Sequence, residues 1–352
     1  MEYRQLGNSG VRVSKLCLGT MNFGSPTDEP EAHRIIDTAI DGGINFIDTA
    51  DVYARGVSEE FTGRALVANG KRDDVVLATK AVANMGRGPN DHGASRYHLT
   101  RAVENSLRRM ETDRIDLFYL HITDITTPIE ETLDTLNTLV RQGKILYPAA
   151  SNFAAWQVAK GLGISAREGW APFACIQPMY NLVKRQAEVE LLPMARSENL
   201  GVITYSPLGG GLLTGKYGPQ RRPEQGRLVE NEMYQTRYGA DWVYAVAGRF
   251  TRFALERGYD PVSLAVAWVA GHPAVTAPII GARNLEQLAG SLGALEIEMT
   301  PELYTEIAAL SPEPPPATDR SEERTAFTYE AQLSDKAKDQ KNQKDQSGPK
   351  RK

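Results

Sequence analysis

The sequence contains little cysteine and no long apolar segment. Its two cysteines, Cys17 and Cys175, lie inside the apolar stretches LCLGT and FACIQ among 352 residues. This placement is typical of buried free thiols in a reducing compartment, and it argues against a disulfide framework or a cysteine metal site. No run approaches the roughly 18 apolar residues of a membrane helix, and the first residues lack the apolar core of a signal peptide. We therefore expect a cytoplasmic protein with no membrane association and no metal.

Charge of one sign is not in excess. The chain has 40 Lys and Arg residues against 44 Asp and Glu residues, a formal net charge of −4. Proteins that bind nucleic acid usually carry a basic excess, so nucleic acid is not an expected partner. With 41% hydrophobic and 24% charged residues, the composition is that of a globular protein. The length suits either one α/β barrel of about 250 residues with additions or two smaller domains.

Strand and helix patterns alternate from residue 15 to about residue 293. Short β-branched or apolar runs followed by segments of helical period are typical of parallel βα units. Such units close most simply into a (β/α)8 TIM barrel, an α/β fold. The predicted strands are residues 15–19, 44–48, 75–80, 116–121, 145–151, 174–177, 202–205 and 277–280. Predicted helices include residues 31–41, 58–68, 97–110, 129–141 and 186–197, and left-handed helix ends are expected at Gly42, Gly70, Gly143 and Gly258.

Three segments fall outside this repeating unit. Residues 2–14 alternate around GNSG, which predicts an N-terminal hairpin that closes the bottom of the barrel. Residues 207–240, after the seventh strand, are too long and polar for an ordinary connection, so they form either a lid or a disordered loop, and we favour the lid. Residues 313–352 are poor in apolar residues and rich in Lys, Gln and Asp, which predicts a disordered tail behind a barrel domain of residues 1–312.

Ionisable residues follow several of the predicted strands. Asp48, Lys80 and His121 end three consecutive strands, and Tyr53 lies five residues beyond Asp48. The carboxyl ends of barrel strands open into one shared mouth, so these side chains are expected to meet. Each one alone has an ordinary interpretation: a helix cap, a packing phenol, a surface charge or a core histidine. Together they indicate an acid-base site.

The four groups would suit the reduction of a carbonyl, which needs a hydride donor and an acid for the developing oxyanion. Tyr53 is the candidate acid, and an adjacent Lys80 is expected to lower its pKa from about 10. Asp48 would keep Lys80 charged in an apolar mouth. His121 could donate a hydrogen bond to the carbonyl oxygen as a neutral imidazole.

Longer motifs surround these residues and carry a resemblance to a known family. They are DTADVY at 48–53, TK at 79–80, LFYLHITDITTPIEETLDTL at 117–136, SN at 151–152 and YSPLGGGLLTGKY at 205–217. In order and spacing the chain resembles the aldo-keto reductases to about residue 310. The resemblance implies an NADPH-dependent enzyme that reduces aldehydes and ketones to alcohols, with Asp48, Tyr53, Lys80 and His121 as the catalytic residues.

The cofactor site is not of the Rossmann type, because no strand, turn and helix carry GxGxxG. The segment IIGARNLEQL at 279–288 offers a strand end and a helix start, where barrel proteins commonly bind phosphate. Gly281 would let the backbone approach the cofactor. Arg283 could make a paired contact with a 2′-phosphate, which favours NADPH over NADH.

The resemblance assigns further cofactor contacts. Ser151, Asn152 and Gln177 would hold the nicotinamide carboxamide, and Tyr205 would stack on its ring. Strand-end capping by the amides and a core position for the tyrosine are the alternatives. The remaining contacts implied by the resemblance are Gly19, Thr20, Met21, Asp48, Ser206, Pro207, Leu208, Gly209, Gly211, Lys216, Ile280, Gln287 and Ser291. The sequence departs from the usual pattern at Leu146, Ala149 and Ser291, where the family commonly has Arg, Gly and Asn.

The partner is expected to be a small carbonyl compound bound by the variable loops. An open pocket would accept several carbonyls, small aliphatic and sugar-derived aldehydes among them. A second hypothesis is an NADPH-binding regulatory subunit with little turnover, because potassium-channel beta subunits resemble the same family. The sequence indicates no oligomeric state.

Overall fold

The structure, a computed structural model, describes residues 1–318. A closed barrel of parallel strands forms its centre, and β3 to β10 lie around it in chain order, with β10 next to β3. The strands are β1 (Tyr3–Gln5), β2 (Arg12–Ser14), β3 (Cys17–Gly19), β4 (Phe46–Asp48), β5 (Val76–Ala81), β6 (Ile115–Leu120), β7 (Ile145–Ser151), β8 (Cys175–Gln177), β9 (Gly201–Thr204) and β10 (Ala277–Gly281). The predicted (β/α)8 TIM barrel and each of its strands are confirmed.

Helices surround the barrel. They are α1 (Glu29–Asp41), α2 (Val57–Ala68), α3 (Arg96–Arg109), α4 (Ile129–Arg141), α5 (Ala155–Glu168), α6 (Leu191–Ser197), α7 (Arg227–Glu230), α8 (Glu232–Tyr238), α9 (Asp241–Glu256), α10 (Pro261–Gly271), α11 (Leu285–Leu292) and α12 (Pro301–Ala308). The apolar side of α4 shows why these segments are helical: Leu133, Leu136 and Leu139 recur at helical spacing and are all buried.

Two local predictions were wrong. The helix expected at residues 186–197 begins only at Leu191, because Pro193 has no N–H and its ring would collide with the carbonyl four residues before it in a longer helix. Gly42 is right-handed (φ −72°), and Gly43 (φ +88°) instead carries the left-handed turn after α1. The left-handed conformations expected at Gly70, Gly143 and Gly258 are confirmed.

The predicted N-terminal hairpin is confirmed as the pair β1 and β2. Its Leu6 and Val13 are fully buried and pack with inward-facing barrel residues that include Cys17 and Cys175. A Cβ at Gly7 in the hairpin turn would lie 2.5 Å from the Gly201 nitrogen, at the amino end of β9. The hairpin therefore fills the end of the barrel opposite the carboxyl ends of the strands. Both cysteines are free and buried, as predicted.

Residues 207–240 are folded, which makes the disordered alternative wrong. A 3-10 turn at Gly209–Gly211 is followed by α7 and α8. None of the helices within residues 1–318 has the length and apolar character needed to cross a bilayer. The expected disordered tail at residues 313–352 falls almost wholly outside the described part of the chain.

Candidate active site

The four predicted catalytic side chains come from the carboxyl ends of three neighbouring strands. Asp48 is the last residue of β4, Lys80 lies one residue before the end of β5, and His121 directly follows β6. Tyr53 begins a short 3-10 turn beyond β4. Parallel register between the strands brings these positions to one edge, and the structure places the four side chains together.

Lys80 is the centre of the group. Its Nζ donates hydrogen bonds to Asp48 Oδ1 at 2.5 Å, to the Thr49 carbonyl at 2.7 Å and to the Tyr53 hydroxyl at 3.3 Å. These bonds occupy the three donors of the ammonium. The Lys80 and Asp48 side chains are 0% and 2% exposed, so the ion pair is buried. The ammonium is thus held in one position beside the phenol.

Burial and charge act in opposite directions on the pKa values of this pair. Burial alone would lower the pKa of Lys80, but the Asp48 carboxylate and the Tyr53 oxygen outweigh it, and the pKa is raised above its ordinary value. Burial raises the pKa of Asp48, while Lys80 and the Gln177 amide oppose the rise. Lys80 therefore remains a cation between Asp48 and Tyr53.

The pKa of Tyr53 shifts in the direction opposite to the predicted one. Burial raises the pKa of the phenol, and the opposing effect of Lys80 is smaller. The predicted sense of the Lys80 effect is right, but the predicted net lowering is wrong because a phenolate at this half-buried position loses hydration. Tyr53 is consequently protonated at neutral pH, which is the form that a proton donor requires.

His121 is a half-buried, neutral imidazole. Its ring meets the Tyr53 ring edge to face, with centroids 5.9 Å apart. Burial, assisted by the nearby Lys80 charge, lowers the pKa of His121 to about 3. Its Nδ1 has no hydrogen-bond partner within residues 1–318. A buried polar atom without a partner, on a ring that packs against Tyr53, is suited to contact a bound carbonyl or cofactor.

The residues expected around the nicotinamide form a hydrogen-bonded chain that starts at Asp48. Gln177 donates to Asp48 Oδ2 at 2.9 Å, and the Ser151 hydroxyl donates to the Gln177 carbonyl at 3.0 Å. Asn152 donates to Ser151 Oγ at 3.1 Å, and the Tyr205 hydroxyl donates to Asn152 Oδ1 at 2.7 Å. The strand-end amides are therefore continuous with the catalytic group, which sequence reasoning did not predict.

The expected phosphate end lies between β3 and α11. Gly19 and Gly281 are register partners on neighbouring strands, and a Cβ at Gly281 would approach nothing closer than 3.8 Å. Arg283 is exposed just before α11, and its backbone N–H donates to Gln287 Oε1 at 3.1 Å. An open glycine, a guanidinium and a helix start fit a phosphate group. Ser291 is buried within α11 and does not share this exposed surface.

Hydrogen bonds join the segment after β9 to the loops that follow β3 and β10. Ser206 (φ +59°) is left-handed, and the three glycines Gly209, Gly210 and Gly211 that follow have positive φ as well. From α7, Arg227 donates to the Asn22 side chain, whose own amide donates to the Ala282 carbonyl at 3.0 Å. This bridge favours the lid interpretation of residues 207–240. Lys216 is exposed on the same segment.

Other predicted contacts have varied surroundings. Thr20 is buried, with its hydroxyl 2.8 Å from Ser58 Oγ, whereas Met21 is 40% exposed. Pro207 is buried and Leu208 is half-buried. Sequence reasoning missed the Thr49 carbonyl and the buried carboxyl of Asp51, because neither a backbone acceptor nor an unusual burial has a sequence signal.

Comparison with known proteins matches the chain to one family and to relatives that cover most of its length. The model of the aldo/keto reductase family matches residues 15–312. The uncharacterized oxidoreductase YrpG of Bacillus subtilis is 39% identical over 89% of this chain and 97% of its own length. A probable voltage-gated potassium channel subunit beta of Oryza sativa is 36% identical over 91% and 99% of the two chains. The aldo-keto reductase YhdN of Bacillus subtilis is 35% identical over 82% and 87%.

Proposed function

Since the chain belongs to the aldo/keto reductase family, we propose that it reduces aldehydes and ketones to alcohols, with NADPH as the hydride donor and Tyr53 as the general acid. The observation that carries this proposal is the buried contact of Lys80 with both Asp48 and Tyr53. A purely structural ion pair would not need a phenol as the acceptor of the third Lys80 hydrogen bond. That contact is needed if Lys80 holds Tyr53 in place as a proton donor.

The chemistry adds two hydrogens to the carbonyl group. Bound NADPH supplies a hydride to the carbonyl carbon, and the Tyr53 hydroxyl gives its proton to the oxygen. Lys80 stabilises the phenolate that remains, and Asp48 keeps Lys80 charged and in place. The neutral His121 imidazole donates a hydrogen bond to the carbonyl oxygen and orients it.

The preference for NADPH rests on Arg283. Its exposed guanidinium, next to the open Gly281 and the start of α11, suits a 2′-phosphate that NADH lacks. Arg283→Ala should raise the Kd for NADPH about tenfold or more, the loss expected for a charge-assisted bond, and leave the Kd for NADH nearly unchanged. Fluorescence titration with both cofactors measures this. Equal losses for the two would remove the assignment.

Apolar side chains at the mouth indicate the kind of carbonyl compound. Met21, Ile122, Ile125, Trp156 and Met233 are all at least 40% exposed. They lie on segments that follow β3, β6, β7 and β9, so they belong to the catalytic end of the barrel. We favour apolar aldehydes over sugar-derived ones. In a series of linear aldehydes, kcat/KM should rise with chain length and exceed that for aldoses.

Activity decides between the enzyme and the regulatory subunit. The similarity to the rice protein named as a probable channel subunit keeps the second function as a candidate. NADPH consumption, followed by its near-ultraviolet absorbance with a panel of aldehydes, should show turnover. Tight NADPH binding without turnover on any aldehyde would favour the regulatory function instead. The free, buried thiols support a reducing compartment, and we propose a cytoplasmic location.

A further inference from the structure

Asp51 is a buried carboxyl group that the proposed mechanism does not use. It lies between Asp48 and Tyr53 in sequence and is 1% exposed. Neither of its side-chain oxygens accepts a hydrogen bond from another side chain among the described residues. A carboxylate with this burial and no side-chain partner is strongly disfavoured, and such groups normally become neutral.

The cations nearest Asp51 already have other partners. Lys80 is paired with Asp48 at 2.5 Å, and Arg109 Nε donates to Glu59 Oε2 at 2.6 Å. Glu59 is fully buried and also accepts from the Thr79 hydroxyl, so its carboxylate retains Arg109. The two cations and two carboxylates balance without Asp51. A charge on Asp51 would therefore be unpaired.

We propose that Asp51 is a positioning residue that is held as a neutral acid, and that its ionisation displaces the segment that carries Tyr53. The consequence for catalysis depends on the proposed reductase function, whereas the protonation state of Asp51 does not.

The backbone connects Asp51 directly to the catalytic group. Its N–H donates to the Lys80 carbonyl at 3.1 Å, and the Tyr53 N–H donates to the Ala50 carbonyl at 3.2 Å. Ala54 (φ 47°) and Arg55 (φ 55°), which follow Tyr53, are both left-handed. Such strained positions persist only where the surroundings hold them.

The charged neighbours determine the pH at which Asp51 ionises. Burial and the Glu59 carboxylate raise the pKa of Asp51 to about 8, against the effects of Arg109, the Val52 N–H and Lys80. Above this pH an ionised Asp51 would attract Lys80 from Asp48 or Arg109 from Glu59. The first change moves the ammonium that contacts Tyr53. The second moves the side chain that packs against Gly56, at the end of the turn that Tyr53 begins.

The first test is the pH profile of kcat/KM for aldehyde reduction. Wild-type activity should fall above about pH 8, the value expected for Asp51. Asp51→Asn mimics the neutral acid, so this fall should move upward by about one pH unit or more. Asp113→Asn, at a 90% exposed position, is the matched control and should keep the wild-type profile. An Asp51→Asn profile identical to wild type would overturn the proposal.

A second variant tests the effect of the Glu59 charge on Asp51. Glu59→Gln leaves Arg109 without its carboxylate and removes the repulsion on Asp51, so the fall in activity should move to lower pH. In the double variant with Asp51→Asn the downward shift should disappear. A downward shift that persists without Asp51 would contradict the assignment.

Infrared difference spectra measure the protonation state of the Asp51 carboxyl group directly, without an enzyme assay. At pH 7 the wild-type minus Asp51→Asn spectrum should contain the carbonyl band of a neutral carboxylic acid, and this band should be lost as the pH rises through about 8. Absence of the band at pH 7 would refute the neutral acid. Presence of the band in a protein that turns over no aldehyde would contradict only the reductase function.

Discussion

At the scale of single residues, the site depends on charges that are removed from water. An unpaired ion in such a position costs several kcal/mol, so Asp48 and Lys80 stabilise the fold only as a pair. Their pairing could be predicted from the sequence, since both residues end neighbouring strands. The net pKa of Tyr53 could not, because the depth at which a phenol is buried is a property of the assembled barrel.

His121 provides a prediction about pH. Its pKa is about 3 in the folded protein, against an ordinary value of 6.5, so the unfolded chain binds a proton that the folded protein refuses. This site should make the folded protein progressively less stable as the pH falls from about 6.5 towards 3. An NMR titration should show a neutral His121 ring at pH 5. A His121 ring that protonates near pH 6.5 would contradict the assignment.

At the scale of elements, close approaches to neighbouring segments set the positions of the helices. A Cβ at Gly63 in α2 would lie 2.5 Å from the backbone of Met110, just after α3. At Gly163 in α5 an added Cβ meets nothing within 4 Å. Periodicity in the sequence predicted α2, but it could not show which glycine permits a contact and which is simply a weak helix former.

These two glycines should respond to alanine in opposite ways. Gly63→Ala forces the helix from its neighbour and should lower the free energy of unfolding by about 1–3 kcal/mol. Gly163→Ala should raise it by about 0.5–1 kcal/mol, because alanine favours the helix and nothing obstructs it. Urea unfolding of both variants measures the difference. Equal effects on stability would show that the contact with Met110 is unimportant.

At the scale of the whole molecule, the hairpin and the candidate site lie at opposite ends of the barrel. Sequence patterns predicted the barrel, its hairpin and the end at which the candidate residues meet. The course of residues 207–240 could not be predicted, because it depends on contacts between distant segments, such as Arg227 with Asn22. The cofactor contacts stay predictions from the resemblance.

The hairpin supplies the prediction at this scale. Leu6 is fully buried against the inward-facing side chains of the barrel, so Leu6→Ala should cost about 2–5 kcal/mol of stability. Leu255→Ala, at a 63% exposed position on α9, is the matched control and should change stability by less than about 0.5 kcal/mol. Both are measured by denaturant unfolding. A negligible cost at Leu6 would mean that the hairpin does not stabilise the barrel.

The proton donated by Tyr53 is the central claim, and one comparison tests it directly. NADPH consumption with an accepted aldehyde is followed for the wild-type protein and for Tyr53→Phe, with NADPH affinity measured on the same samples. The account predicts that Tyr53→Phe binds NADPH as tightly as the wild type but loses a factor of about 10²–10⁴ in kcat. Full turnover by Tyr53→Phe would contradict it.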